Sequence, residues 1–376
     1  MDSTPESPPR RPLQRLLPGV VLAAVVPWMP WVADLPYEAR ATAAIAFFTA
    51  YCWIREALPL PIASLMPALL FPALGVVDAR EVAPWYFKDI LLLFLGGFIL
   101  ALALERYGLH HRFALRSLRI FGTRPRRVVL GFMLVGGLMS MFISNTSTAL
   151  LMLPVAVSLL QQCKPFEQKQ LNAPLLLGIA YSCSIGGVAT PIGTAPNSVL
   201  LGMYSERFPD APELSFGTWF FGAFPFAMAF LFVAWFCLCR VTGKLGSKRT
   251  ESLDRFVLDR AGQAPRTPEQ NRVLGVFGLV AILWMTRQGI DFGETGIPGW
   301  SSLLPEHVAA TLKDSTVALI GVLLLFAIPG RAKQTGALMD WEDCKNIPWG
   351  ILLLLGGGFA LAKGFEVSGL SAAVGD

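Results

Sequence analysis

The chain alternates between long apolar runs and short polar segments, a pattern typical of a helical membrane protein. A helix of about 20 apolar residues crosses a bilayer core. Eight runs predict such spans: 16–33, 39–55, 60–77, 90–106, 217–239, 271–287, 315–329 and 348–367. The first run follows three arginines and has a signal peptide as its alternative, but it lacks a clear small-x-small cleavage site. We therefore expect a retained first span.

Two further apolar regions, 128–160 and 173–204, are interrupted by polar residues. An unbroken helix over 128–160 would be roughly 50 Å long against a core of about 30 Å, so a break is needed. Its middle holds Ser144-Asn145-Thr146, residue types that favour caps and turns, which predicts a re-entrant hairpin with arms 128–143 and 149–160. The glycines, prolines and hydroxyls at the centre of 173–204 predict a broken helix with an unwound loop.

The composition and the charge distribution agree with a membrane protein. Hydrophobic residues make up 54% and charged residues 15%, which excludes a disordered chain, a nucleic-acid-binding domain and an ordinary soluble enzyme. With the N-terminus inside, 24 of the 31 lysines and arginines lie on the inner side and 6 on the outer. The positive-inside rule therefore predicts a cytoplasmic N-terminus. The six cysteines show neither disulfide nor zinc spacing, and with three histidines in the sequence we do not expect a histidine metal site.

An internal repeat relates two of the predicted spans. Residues 90–109 and 351–370 match at 12 of 20 positions, including a Gly-Gly-Phe triplet, a glutamate and a Gly-Leu pair. In the predicted topology the two segments run in opposite directions, as in inverted-repeat transporters. The equivalent of Ser144-Asn145-Thr146 would fall near position 406, so we expect a second repeat that is truncated, or completed by another subunit. Lys363 and Glu366 lie at i and i+3, where they can pair.

The chemistry at the two break points is uncharged. Between Val128 and Ser205 the charged residues are Lys164, Glu167 and Lys169, all in the connecting loop. Helix N-termini there suit an anion, and loop carbonyls suit a hard cation. A divalent cation would normally need carboxylates, and proton coupling a titratable group, so the pattern favours a monovalent cation bound beside an anion.

The hairpin tip Ser144-Asn145-Thr146, the downstream loop from Gly186 to Asn197 and the repeat together resemble the divalent-anion:sodium symporter family. These are sodium-coupled transporters of di- and tricarboxylates and sulfate. The resemblance implies an all-α polytopic membrane protein of the inverted-repeat elevator type. It also implies a homodimer in the cell inner membrane, with the basic stretch 106–119 as an interfacial helix and hinge.

Carried over by motif, the resemblance implies a sodium site and a neighbouring substrate site. The sodium ligands would be Ser140, Ser144, Asn145 and the Gly193 carbonyl, and the substrate would contact Asn145, Thr146, Thr194 and Pro196. The implied function is sodium-coupled symport of a small anion such as succinate, malate or fumarate, with Na+ as coupling ion, no organic cofactor and no nucleic-acid partner. Alternatives are a sulfate or citrate symporter, a sodium-independent exchanger and a non-transporting fragment. A membrane enzyme would need a cluster of His, Asp or Glu, and the nearest one, at 105–112, lacks ligand spacing.

The expected organisation has seven consecutive segments. They are a disordered cytoplasmic N-terminus (1–15), scaffold helices (16–89), an arm and interfacial helix (90–122), a transport domain (123–216), a helix with a basic cytoplasmic loop (217–272), scaffold helices of the second repeat (273–347) and the start of a second arm (348–376).

Overall fold

The computed structural model describes residues 12–30, 32–208, 210–241, 252–255, 266–291 and 296–375. Within them the chain is nearly all helical, which confirms the all-α part of the expected fold class; the inverted-repeat elevator architecture stays a prediction. A small antiparallel pair joins strand β1 (Gly289–Asp291) to strand β2 (Gly296–Pro298), with Gly289 opposite Pro298. Residues 1–11 and most of the basic loop expected after residue 241 lie outside the described residues.

The chain divides into two compact units, Met1–Leu91 with Pro348–Asp376, and Leu92–Ile347. The helices of the first unit are α1 (Pro12–Val25), α2 (Tyr37–Arg55), α3 (Leu60–Ala63), α4 (Met66–Ala73), α5 (Ala79–Val82), α16 (Trp349–Val367) and α17 (Leu370–Gly375). The first helix begins at Pro12, inside the segment expected to be disordered. The predicted span 60–77 is instead two short helices, because Pro67 has no N–H to donate to the carbonyl of Ala63.

Close packing in the first unit depends on glycines of α16. A Cβ atom built on Gly357 would lie 2.4 Å from the Ser64 carbonyl oxygen, and one on Gly364 would lie 2.1 Å from the ring of Phe71. The aromatic ring of Phe71 is fully buried with Ile45. The absence of side chains on α16 therefore lets α3 and α4 pack directly on its backbone.

The second unit contains the two interrupted regions. Its helices are α6 (Asp89–Arg106, whose first three residues belong to the first unit), α7 (Leu109–Phe121), α8 (Pro125–Ser140), α9 (Asn145–Gln162), α10 (Pro165–Gly187), α11 (Ala195–Arg207), α12 (Phe216–Val241), α13 (Pro268–Thr286), α14 (Glu306–Thr311) and α15 (Asp314–Ala327). Its hydrophobic core lies among α7 to α10 and α12, with Phe132, Met133, Met152 and Leu175 fully buried.

Both predicted breaks are present. The helices α8 and α9 are joined by the four-residue turn 141–144, and α9 begins at Asn145, four residues before the expected second arm, because Ser144 caps it. The helices α10 and α11 are separated by the loop 188–194. Helix α10 ends at Gly187, whose carbonyl would need an N–H from Pro191 to continue the helix. Whether the hairpin is re-entrant stays a prediction.

The repeated segments have the same local structure. Helices α6 and α16 are each followed by a left-handed glycine, Gly108 with φ 62° and Gly369 with φ 75°, after which a new helix begins. Glycine is the residue that tolerates this conformation without strain. Lys363 Nζ lies 2.9 Å from Glu366 Oε2, as predicted for the pair at i and i+3. The inverted orientation of the repeat stays a prediction.

Among the described residues, three helical segments are long and apolar enough to cross a membrane: Ala79–Arg106, Phe216–Val241 and Trp349–Val367. Shorter apolar helices cover Gln14–Trp28, Leu60–Ala73 and Asp314–Ala327. Helices α2 and α13 cover two more predicted spans but carry charged or amide residues near their N-termini. Helix α12 exposes large apolar side chains such as Phe226 and Phe230, which fits contact with lipid.

A buried ion cluster joins the ends of α12, α13 and α15. Arg287 Nε lies 2.6 Å from Asp314 Oδ1, and Arg287 Nη2 lies 2.7 Å from Glu213 Oε1. The other Asp314 oxygen accepts the N–H of Phe216 at 2.7 Å and so caps the start of α12. The arginine side chain is 2% exposed, so this pairing fixes three helix ends in one place.

A second polar anchor lies in the loop before α16. Burial opposes ionisation of Asp340, but hydrogen bonds from the Thr335 hydroxyl and from the N–H groups of Gln334 and Thr335 outweigh it and lower the pKa of this carboxyl. The carboxyl group therefore stabilises the loop more strongly when it is ionised.

Candidate functional site

The site begins at a close crossing of α8 and α10. A Cβ atom built on Gly186 would lie 2.0 Å from the Gly137 carbonyl oxygen and 2.6 Å from the Gly137 Cα. A Cβ on Gly136 would lie 2.9 Å from Ser182 Oγ. Because glycines face each other here, the two backbones touch. The contact brings the end of α8, at Ser140, beside the end of α10, at Gly187.

The hairpin turn is organised by its own hydroxyl groups. Ser144 is the N-cap of α9: its Oγ accepts the N–H of Ser147 at 3.3 Å and donates to Ser147 Oγ at 2.8 Å. Ser140 Oγ donates to Asn145 Oδ1 at 2.7 Å across the turn. The Ser140 side chain is fully buried and Asn145 is half-buried, so the first residue of α9 has its amide oxygen fixed at the inner side of the turn.

Oxygen atoms from both interrupted regions converge at Gly187. The position of a Cβ on this glycine lies 2.4 Å from Asn145 Oδ1 and 3.2 Å from the Gly193 carbonyl oxygen. Ser140 Oγ reaches the same cluster through its bond to Asn145. Three of the four predicted sodium ligands are therefore brought together, whereas the side chain of the fourth, Ser144, is engaged at the cap. Because glycine has no side chain, a small space bordered by neutral oxygen atoms remains beside Gly187. We call this space the Gly187 cradle.

The loop 188–194 is held by three buried polar side chains. Asn197 Nδ2 donates to the carbonyls of Gly187 at 2.9 Å and Thr190 at 2.8 Å, and Ser198 Oγ donates to the Pro191 carbonyl at 2.7 Å. Thr190 Oγ1 donates to the Met141 carbonyl in the hairpin turn and accepts the N–H of Gly193 at 3.1 Å. Thr190 thus ties the loop to the hairpin.

The sequence motif from Gly186 to Asn197 contains Thr190 and Asn197 but predicts no role for either residue. One feature of the sequence could have identified them. An unwound segment leaves backbone carbonyls without helical partners, and buried side-chain donors must then bind these carbonyls. An amide near the start of the next helix, such as Asn197, is well placed for that task. Trp219 adds a further donor, with Nε1 3.0 Å from the Val188 carbonyl oxygen.

The predicted substrate residues lie at two helix N-termini next to this cluster. Thr194 is the N-cap of α11, is half-buried and makes no capping hydrogen bond with its side chain. Pro196, in the first turn of α11, and Thr146, in the first turn of α9, are exposed. Both helix starts adjoin the Gly187 cradle through Gly193 and Asn145. Their N–H groups and partial positive charge can stabilise an anion.

The charged residues of this region lie elsewhere. Lys164 and Glu167 are at the far end of α9, where the Glu167 carboxylate accepts the Lys164 N–H at 3.0 Å. In the part of the chain that the structure describes, no group of three or more His, Cys, Asp or Glu side chains is placed to hold a metal ion. The donor set around Gly187, a hydroxyl, an amide oxygen and a carbonyl, suits a hard monovalent cation.

A family model described as "Citrate transporter" matches residues 50–376. The chain belongs to this transporter family. It is 37% identical over 340 residues to the sodium-dependent dicarboxylate transporter SdcS of Staphylococcus saprophyticus, covering 87% of this chain and 62% of that protein. A Staphylococcus aureus protein of the same name is 34% identical over 355 residues, covering 91% of this chain and 65% of its own length. The chain thus spans less than two thirds of these relatives.

The comparisons confirm the predicted family resemblance, since the family model and both relatives carry the names of transporters. The matched range contains the hairpin, the broken helix and the Gly187 cradle. What the site can do follows from its geometry: neutral oxygens can hold a cation in the cradle, and two helix starts can hold an anion beside it.

Proposed function

We propose that this protein is a secondary active transporter that couples the uptake of a C4-dicarboxylate such as succinate, malate or fumarate to sodium. The observation that carries the proposal is the convergence of Asn145 Oδ1 and the Gly193 carbonyl at Gly187, with two helix N-termini beside it. The names of the staphylococcal relatives support both the ion and the substrate class.

Sodium would bind in the cradle over Gly187. Its ligands would be Ser140 Oγ, Asn145 Oδ1 and the Gly193 carbonyl, after the Ser140 hydroxyl turns its proton away from Asn145. Ser144 contributes by capping α9 and so fixing Asn145; its hydroxyl would have to leave Ser147 to reach the ion. This donor set carries no charge, so the bound ion adds one net positive charge to the site.

The dicarboxylate would bind at the helix N-termini. One carboxylate would accept hydrogen bonds from Asn145 Nδ2 and from the hydroxyls of Thr146 and Thr194, with Pro196 closing the pocket. The two faces of one amide would then serve both ligands, with the oxygen of Asn145 on sodium and its NH2 group on the substrate. Each ligand therefore orients the group that the other needs. Coupling of this kind is reciprocal, so substrate raises sodium affinity by the same factor.

The proposal extends to the architecture. Two compact units fit an elevator in which one carries the site, and the shared structure of α6 and α16 with their left-handed glycines fits an inverted repeat. We further propose a re-entrant hairpin, a homodimer in the cell inner membrane and a cytoplasmic N-terminus, the last from the distribution of lysines and arginines. Citrate is the second candidate substrate, because the family model carries that description.

Uptake of labelled succinate into proteoliposomes, with and without an inward sodium gradient, tests the proposal. We expect sodium-dependent uptake that unlabelled malate and fumarate inhibit; stronger inhibition by citrate or sulfate would replace the substrate assignment. The Staphylococcus saprophyticus relative serves as the positive control. Uptake by the relative but not by this chain would show that the chain does not transport alone.

The variant Asn145→Ala tests the site. Since one amide serves both ligands, we expect it to abolish sodium-dependent binding and substrate binding together, with Asn271→Ala, on α13, as the matched control. Sodium-dependent substrate binding retained in Asn145→Ala would overturn the site assignment.

A further inference from the structure

The first turn of α12 contacts both interrupted regions of the second unit. Its Trp219 donates a hydrogen bond from the indole Nε1 to the Val188 carbonyl oxygen, 3.0 Å away, in the loop that follows α10. The ring of Phe216 stacks on that of Phe142, in the hairpin turn, with centroids 6.4 Å apart and planes inclined by 15°. One helix turn therefore binds both segments that contribute oxygen atoms to the Gly187 cradle.

This first turn, residues 216–219, is anchored by elements outside both interrupted regions. The Phe216 N–H donates to Asp314 Oδ2 at 2.7 Å, and the Asp314 carboxylate is paired with the buried Arg287. The Phe216 ring also stacks on that of Trp284, on α13, with centroids 4.6 Å apart, and both side chains are almost fully buried. The start of α12 thus has a rigid support, because an ion pair and an aromatic stack hold it at the same point.

The Val188 carbonyl belongs to the loop residue next to the Gly187 cradle. The carbonyls of Gly187 and Thr190 are bound by Asn197, which lies on α11, the second half of the same broken helix. Asn197 Nδ2 also lies 3.5 Å from the Val188 oxygen, at the limit of a hydrogen bond. The closer donor to this oxygen is Trp219, so the indole ties the loop to a helix outside the two interrupted regions.

We propose that the first turn of α12 is a positioning element for the sodium site, with Trp219 and Phe216 as its positioning residues. This role rests on the proposed function, since it requires a sodium site at Gly187. Neither side chain has an oxygen atom to offer the ion, so both act through the segments that they hold. Trp219 holds the loop that carries the Gly193 carbonyl, and Phe216 holds the hairpin turn that precedes Asn145. The cradle oxygens are then ordered before the ion arrives, which lowers the cost of binding it.

The variant Trp219→Phe tests the link to the loop, because it keeps an aromatic ring and removes the N–H. Without the hydrogen bond the loop occupies the binding position for only part of the time, and the apparent sodium affinity falls by that fraction. We expect an affinity about two- to tenfold lower, which is the range for one neutral hydrogen bond. The maximal rate of succinate uptake at saturating sodium should be unchanged, since the bound ion then orders the loop.

Trp235→Phe is the matched control. It removes a hydrogen bond of the same kind from the same helix, between Trp235 Nε1 and the Arg126 carbonyl at 2.9 Å, at the start of α8. Both variants should lower the sodium-free unfolding temperature by a similar small amount, but only Trp219→Phe should weaken sodium binding. Sodium affinity is measured from thermal unfolding in detergent, with choline replacing sodium at constant ionic strength, and from half-maximal uptake in proteoliposomes.

The variant Phe142→Leu tests the link to the hairpin turn. Loss of an aromatic pair should again lower sodium affinity about two- to tenfold. The control is Phe226→Leu, which removes a stacked pair of similar geometry from an exposed part of α12, since the rings of Phe226 and Phe230 lie 6.2 Å apart and are inclined by 14°. This control should bind sodium like the wild type.

The outcomes separate the positioning role from the sodium site itself. Equal sodium affinity in Trp219→Phe and Trp235→Phe, in a wild type that binds sodium, would overturn the role of Trp219 and leave the site in place. Equal affinity in Phe142→Leu and Phe226→Leu would do the same for Phe216. A lower maximal uptake rate with unchanged sodium affinity would also contradict positioning. No sodium response in the wild type would overturn the proposed function and this role with it.

Discussion

The cradle over Gly187 makes a sharp prediction for the variant Gly187→Ala. The added methyl carbon would lie 2.4 Å from Asn145 Oδ1 and 3.2 Å from the Gly193 carbonyl oxygen. Carbon–oxygen contacts in proteins are ordinarily about 3.3 Å or longer, so the first contact is too short by about 0.9 Å. Asn145 Oδ1 must therefore move by about that amount, which displaces one of the oxygen atoms proposed to bind sodium. The methyl group also occupies the volume proposed for sodium.

The expected effect is on sodium and not on folding. Loss of one polar contact to a charged group costs about 1.5–3 kcal/mol, which corresponds to a sodium affinity about 10- to 150-fold lower. The assay is the sodium concentration that gives half-maximal succinate uptake in proteoliposomes. The unfolding temperature without sodium should stay near that of the wild type, because Gly187 ends α10 and its colliding partner is a half-buried side chain.

The matched control is Gly275→Ala on α13, where an added Cβ meets no atom within 4 Å. Alanine is favoured over glycine inside a helix by about 0.5–1 kcal/mol, so this variant should transport normally and be slightly more stable. If Gly187→Ala and the control variant both reach half-maximal uptake at the same sodium concentration as the wild type, the cradle is not the cation site.

Three further predictions concern stability, each measured as thermal unfolding in detergent. Gly186→Ala drives a methyl group into the backbone of α8 and should cost about 3 kcal/mol or more, because neither backbone can yield without parting the helices. Asp314→Ala removes one of the two carboxylates paired with the buried Arg287, together with the cap of α12, and should cost about 3–5 kcal/mol, whereas Lys313→Ala, which removes an exposed ion pair, should cost under about 1 kcal/mol. The pKa of the Asp340 carboxyl is lower in the folded protein than its ordinary value of 3.8, so the ionised carboxylate stabilises the fold above pH 3.8. This stabilisation is lost as the pH falls through the pKa of the folded protein. The difference between wild type and Asp340→Asn should therefore shrink below pH 3.8, and a constant difference would contradict this reading.

The helices and both break points could be predicted from the sequence because their causes are local. Ser144 caps the helix that follows it, and Pro191 cannot donate to the carbonyl at the end of α10. The apolar runs have the length and composition of helices that cross a bilayer. One of them, 60–77, is divided into two short helices at Pro67. The left-handed turns at Gly108 and Gly369 likewise follow from a short motif that occurs twice.

The assembly of the site could not be predicted in the same way, because it depends on contacts between distant residues. A glycine pair such as Gly186-Gly187 is as compatible with a flexible loop as with a helix crossing, and only its approach to Gly137, 49 positions earlier, decides between them. The tie from Thr190 to Met141 spans the same separation. The sequence contains these groups but not the distance between them, so their roles had to come from the fold.

The neutrality of the site is what would make transport depend on sodium. A dicarboxylate brings two negative charges to a place where the protein offers helix ends, an amide and hydroxyls but no lysine or arginine from its own break points. Helix ends and neutral donors lower the cost of removing an anion from water only in part. A cation held at Gly187, next to the amide of Asn145, supplies the missing positive charge at the distance where it acts most strongly. An arginine in that place would attract the substrate whether or not the ion is bound. Uncharged break points would therefore favour coupling, because the proposed site would attract the anion weakly when empty and more strongly when sodium is bound.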